Sequence, residues 1–146
     1  MAGAVHAIDV EPAMKGKDLE ARVWRAVELS SAPVSLAQAL HLFLPECRMR
    51  VRADVPTARI RRTGCGFVLE FGETFLHEQL QDDRDFLFVL LHEVYHHVLG
   101  HLGHPSAEDL RKLFPDAVNI AADMLVNRAV LDRFFDGDVP LLGRLY

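Results

Sequence analysis

The chain has 146 residues, half of them apolar and a quarter charged, with a formal charge of −5. That length and balance suit one folded domain around its own core and exclude a disordered chain. The negative charge argues against a nucleic-acid partner, which would need clustered Lys and Arg against phosphates, and two cysteines outside any C-x-x-C pair support neither a disulfide framework nor a thiolate metal site.

No run approaches the roughly 18 uninterrupted apolar residues of a membrane span, and the opening segment, with His6, Asp9 and Glu11, lacks the basic-then-apolar pattern of an export signal. A cytoplasmic protein that engages neither membrane nor nucleic acid is therefore expected. Cys47 and Cys65 are expected to be reduced, buried small residues. Residues 1–16 carry Pro12 and Gly16 without clear periodicity and read as an irregular lead-in.

From Lys17 to about Ser31, the apolar positions Leu19, Val23, Trp24, Val27 and Leu29 follow helical spacing, ended by Pro33. A shorter helix is expected over Ser35–Leu44, with Ser35 as its N-cap and Pro45 as its stop. Met49, Val51, Ala53 and Val55 then alternate with Arg50, Arg52 and Asp54, the period of a strand. Beyond Pro56, Ala58–Arg62 forms a second strand, Gly64-Cys65-Gly66 a turn, and Phe67–Phe71 a third strand. The arginines 48, 50, 52, 59, 61 and 62 read as the solvent face of these strands. Glu73–Leu80 is a loop or short helix. The acidic run Asp82-Asp83-Arg84-Asp85 sits where negative charge favours a helix N-terminus. Phe86–Leu99 is nearly all apolar apart from His92, Glu93, His96 and His97, the pattern of a buried helix, with Gly100 as its C′ residue. After a loop containing Pro105 and Pro115, Asp116–Phe135 is expected as another strongly apolar helix, and Gly137 with Pro140 closes the domain.

The chemistry concentrates in His92-Glu93-Val94-Tyr95-His96. Residues four apart share one face of a helix, so His92 and His96 can offer imidazole nitrogens to one cation, while Glu93 projects about 100° around the axis, beside the metal rather than onto it. That places Glu93 as a general base for a water that zinc has acidified. A hydrogen-bonded core network is the simpler alternative. Catalytic zinc needs a third protein ligand. Asp123 is favoured, because it lies among residues that suggest burial and because Asn119, Asp123 and Asn127 form a polar seam at i, i+4 and i+8, expected to face the His92 helix. The rival is His101, which the break at Gly100 could fold back toward the metal. His97, His104, His77, His41 and His6 read as surface or packing histidines, and Tyr95 as a core residue.

Beyond the motif, the chain carries Val55-Pro56-Thr57-Ala58, Thr63-Gly64, Phe67–Leu76, Leu91 through His101, and Asn119-Ile120-Ala121-Ala122-Asp123 with Asn127. With these it resembles the zincin-like metallopeptidase domain of bacterial proteins, the type often joined to a von Willebrand factor A-like domain, over roughly residues 33–131. The resemblance implies an α+β, zincin-like fold over 1–146, with a small mixed or antiparallel sheet packed on the buried helix of the motif and on further helices. It also implies a zinc-dependent peptidase acting on a peptide or protein substrate. Phe67–Phe71 is then the strand to pair with an extended peptide, with Phe71-Gly72 as the rim of the cleft, unless it is an ordinary core strand. A different reading is a non-catalytic zinc-binding module that engages a protein partner.

Overall fold

A computed structural model describes residues 16–29, 33–100, 112–135 and 139–145. In chain order these form α1 (Gly16–Leu29), α2 (Val34–Phe43), a 3-10 turn (Leu44–Glu46), β1 (Cys47–Arg52), β2 (Ala58–Thr63), β3 (Gly66–Gly72), α3 (Glu73–Glu78), α4 (Asp83–Val98), α5 (Pro115–Phe134) and α6 (Pro140–Leu145). The fold is α+β, mostly helical with one small mixed sheet. Among the described residues no helix is long and apolar enough to cross a membrane.

The sheet has the order β1-β3-β2, with β1 parallel and β2 antiparallel to β3. To reach the far side of β3, residues 53–57 cross its C-terminal end. They do so over Gly72, whose N–H donates to Thr57 O at 2.6 Å and where an added Cβ would lie 2.1 Å from Val55 O. A side chain at position 72 would block that crossing. The strand expected to continue to Val55 therefore ends at Arg52, and Val55 is buried within the crossing loop.

One face of the sheet, through Met49, Ile60, Leu69 and Phe71, joins the core. Helix α1 contributes Leu19, Val23 and Ala26, the i, i+4, i+7 stripe of an amphipathic helix. It is pinned to the start of α4 by Arg22, whose Nε donates to Asp83 Oδ1 at 2.9 Å, whose guanidinium also meets Leu80 O, and which lies over the Phe86 ring. Helix α4 packs against α1, α5 and β2, and its segment Phe86–Leu91 is wholly buried. Its ends are as the sequence suggests. Asp82 caps the N-terminus by accepting from Arg84 N at 2.7 Å, and Gly100 follows the C-cap Leu99 with φ of 75°.

Several expectations are corrected. Ser35 lies inside α2, whose N-cap is Pro33 without a side-chain bond. Pro115 opens α5 at its first turn instead of sitting in a loop, consistent with the missing N–H that proline tolerates there. Cys47 is buried but Cys65 is exposed, because it occupies the β2–β3 turn. Asp85 is no solvated member of the acidic run. It is 1 % exposed and accepts from Leu141 N at 3.3 Å, tying α6 to α4. Helix α5 buries Ala122, Val126 and Val130 but leaves Ile120, Met124 and Leu125 exposed, so its apolar content exceeds what its packing uses. Residues 1–15 and the Gly137 end signal lie outside the described residues.

Candidate metal centre

His92 and His96 stand one turn apart on α4, and Asp123 and Asn127 one turn apart on the facing α5. The two helical repeats bring these four side chains to one seam. His92 Nε2 and His96 Nε2 are 2.9 Å apart, and Asp123 Oδ1 lies 3.1 Å from His96 Nε2 and 3.7 Å from His92 Nε2. On the other side of its ring, His92 Nδ1 meets Asn127 Oδ1 at 2.8 Å.

These contacts fix the chemistry. Asn127 Oδ1 can only accept, so His92 Nδ1 carries the hydrogen and a neutral His92 ring turns an unprotonated Nε2 toward His96 and Asp123. Lone pairs and a carboxylate that converge so closely need a shared proton or a cation between them. A point equidistant from the three donor atoms lies about 1.9 Å from each in their plane. That spacing is compatible with the about 2.0–2.2 Å that zinc keeps to nitrogen and oxygen, so His92, His96 and Asp123 are the residues that would hold it. Two imidazoles and a carboxylate are a donor set that suits this ion.

The seam borders a cleft of about 280 Å³ that also receives Glu93, with walls from Phe75, Phe88, Val89, Leu141 and Leu142 and a rim at Thr57 and Ala58. No lysine or arginine is among its described lining residues. Glu93 is half-buried, and Ile60 N–H donates to its Oε2 at 3.1 Å. Burial pushes its carboxyl up to about 8; the Ile60 hydrogen bond opposes this and the negative charge of Asp123 adds to it.

Of the residues singled out from sequence, His92, Glu93, His96 and Asp123 meet here. The reason given for Asp123 needs correction, since its side chain is 44 % exposed rather than buried. Its position follows from the α5 repeat facing α4. Asn119, at the outer end of the expected seam, is exposed and lines no part of the cleft. His101 and His104 lie outside the described residues. His97 packs against Phe67 with ring centroids 4.2 Å apart, His41 stacks on Trp24, and Tyr95 meets Phe134 edge-on. Two contributions went unseen in the sequence. The hydrogen bond of Asn127 was signalled only by its spacing from Asp123, and the amide of Ile60 by nothing, because a backbone group has no sequence pattern.

The expectation that Phe67–Phe71 pairs with a peptide is overturned. As part of β3 it is the central strand, hydrogen-bonded on both sides, so it has no edge to offer. The strand next to the cleft is β2. Comparison with protein-family models finds no match, and comparisons with curated proteins and with solved structures find none either. The resemblance to the bacterial metallopeptidase-like domain rests on the residues themselves.

Proposed function

We propose that the chain is a cytoplasmic, zinc-dependent hydrolase of peptide or related amide bonds with a zincin-like fold, in which His92, His96 and Asp123 hold the metal and Glu93 is the general base. The observation that carries this reading is the convergence of three donor atoms within 3.7 Å beside a carboxyl group, in a cleft with no lysine or arginine among its described lining. Zinc held there would supply a Lewis acid that polarises the substrate carbonyl and acidifies water. Glu93 would take a proton from the water that attacks that carbonyl. Ile60 N–H holds one of its carboxylate oxygens, while the other has no hydrogen-bond partner among the described residues and is the one to accept. To accept a proton Glu93 must be a carboxylate, which a bound cation nearby would favour against the burial that raises its carboxyl. Asn127 holds His92 in the tautomer that leaves Nε2 for the metal, and the apolar walls limit competing water.

The test pairs zinc analysis with peptide hydrolysis by the wild type and Glu93→Gln. The variant is expected to keep its zinc and lose on the order of 10²–10⁴ in turnover. Equal turnover would remove Glu93 from its role, and a wild type that takes up no zinc would remove the site. A second reading, a non-catalytic zinc module that engages a protein, is favoured by one observation: Ile120 and Met124, 61 % and 67 % exposed, lie beside Asp123 at the mouth of the seam. Zinc retained by both chains, with hydrolysis by neither, would support it.

A further inference from the structure

The outer face of the sheet is built from the residues that alternate with the core positions. They are Arg48, Arg50 and Arg52 on β1, Val68, Glu70 and Gly72 on β3, and Arg59 and Arg61 on β2. Glu70, on the central strand, is in register with Arg50 on one side and Arg59 on the other. Its carboxylate accepts from Arg59 Nε at 2.6 Å, from Arg50 Nε at 3.1 Å and from Arg61 Nη2 at 3.1 Å. Arg52 is bound mainly to Asp54, at 2.7 Å. Arg48 is exposed and makes no ion pair among the described residues. Five arginines thus face Glu70 and Asp54, with Glu20 and Glu46 bordering the Arg48–Arg50 end, so among the described residues the face keeps a positive excess on a chain whose formal charge is −5.

The arrangement is that of two parallel arginine rows, which close over the buried Val68 and Glu70, while residues 53–57 cover Gly72 at the C-terminal end of the central strand. Successive arginines in a row are about 6.6–6.8 Å apart along the strand, and the rows lie about 10 Å from each other. An extended peptide with carboxylates at alternate positions has the same repeat. The guanidinium groups of Arg50, Arg52, Arg59 and Arg61 remain 41–46 % exposed while partly held by Glu70 and Asp54, so they are oriented yet accessible. Planar guanidiniums match carboxylates in bidentate fashion.

From this we infer that the outer sheet face is a docking surface for an extended acidic segment of a protein partner. The inference is independent of the hydrolytic reading. Charge complementarity selects the occupant, and two features disfavour a nucleic acid. The aromatic residues of β3, Phe67 and Phe71, alternate onto the opposite side, so among the described residues the three strands place no aromatic side chain on this face for a base to stack on. The chain as a whole is also negative, which opposes a long polyanion. The surface lies one sheet thickness from the cleft, because β2 turns Arg59 and Arg61 outward while the N–H of the intervening Ile60 meets Glu93.

The test uses the full chain and a short, labelled glutamate-rich peptide, read by fluorescence anisotropy, beside its glutamine counterpart and a single-stranded oligonucleotide of the same length. The acidic peptide is expected to bind at low salt, to weaken as salt screens the contact, and to exceed the glutamine peptide by at least about tenfold. Arg48→Glu with Arg52→Glu should abolish that advantage and leave thermal unfolding unchanged, because Arg50, Arg59 and Arg61 still hold Glu70. If charge reversal impairs folding, Arg48→Gln with Arg52→Gln makes the same comparison and should show the same loss. Binding that these variants do not alter, no preference for the acidic peptide, or a stronger preference for the oligonucleotide would overturn the inference. So would an apparent mass that rises with concentration in the wild type but not in the variant, which would assign the face to a second copy of the chain.

Discussion

The outer face of the sheet and the seam between α4 and α5 are two polar regions with opposite electrostatics. On the sheet, one carboxylate is surrounded by guanidiniums, and the protein supplies more positive charge than Glu70 needs. In the seam, two imidazoles, Asp123 and Glu93 gather in a cleft with no lysine or arginine among its described lining. Their carboxyl groups respond in opposite directions. Burial acts to raise both, but the Arg61 and Arg59 hydrogen bonds at Glu70 outweigh it and bring that group down to about 2, whereas Glu93 rises to about 8. A buried charge in the first region is part of the fold. The second region gathers donor atoms with no lysine or arginine among its described lining, and a metal is proposed there on that ground.

Three experiments act on this contrast. The largest effect is expected from His96→Ala, which removes a donor atom. Zinc affinity, measured by competition with a chromophoric chelator, should fall by more than the roughly 10–100-fold typical of losing an outer hydrogen-bond partner. Unchanged affinity would mean that the seam satisfies itself with shared protons. Asn127→Ala leaves all three donors in place and frees only the His92 ring, so its loss should fall within that range of about 10–100-fold. An effect as large as that of His96→Ala would make Asn127 a ligand.

The smallest effect concerns the sheet. The folded pKa of Glu70 lies below its ordinary 4.5, so its stabilisation is complete above pH 4.5 and is lost as pH falls toward 2. Glu70→Gln should lower stability at pH 7 by about 1–2 kcal/mol, a figure reduced from the full shift because the surrounding guanidiniums touch water. Denaturant curves of the two proteins should converge between pH 4.5 and 2. Parallel curves over that interval would show that Glu70 is not the counter-charge of the sheet.

The helices and the ligand pair were legible because their signals are periodic. A spacing of four places His92 beside His96 in any straight helix, and the same spacing joins Asp123 to Asn127. Alternation likewise places the arginines of β1 and, on β2, Arg59 and Arg61 on one outer face; Arg62, read with them, instead pairs with Phe67 on the other face. Long-range partners were not legible. Nothing local distinguishes β3 as the central strand, since its apolar run fits an edge or a centre equally well, and the burial of Asp85 depends on Leu141, 56 positions away. Asp123 reaches the seam, but not for the burial expected of it. Its neighbours Ile120 and Met124, which suggested burial, are themselves exposed.

The strand order also bears on how the chain reaches this state. Neither β1 nor β2 pairs with the other, so when both have been synthesised the sheet still has no ladder, and both depend on the later β3. The β2–β3 hairpin closes over a two-residue turn and is the cheap first step. Docking β1 in parallel then requires a longer loop to close across Gly72. A folding order of this kind would gather the arginines of β2 around Glu70 before those of β1, and the arginine face would be completed by the last strand to join.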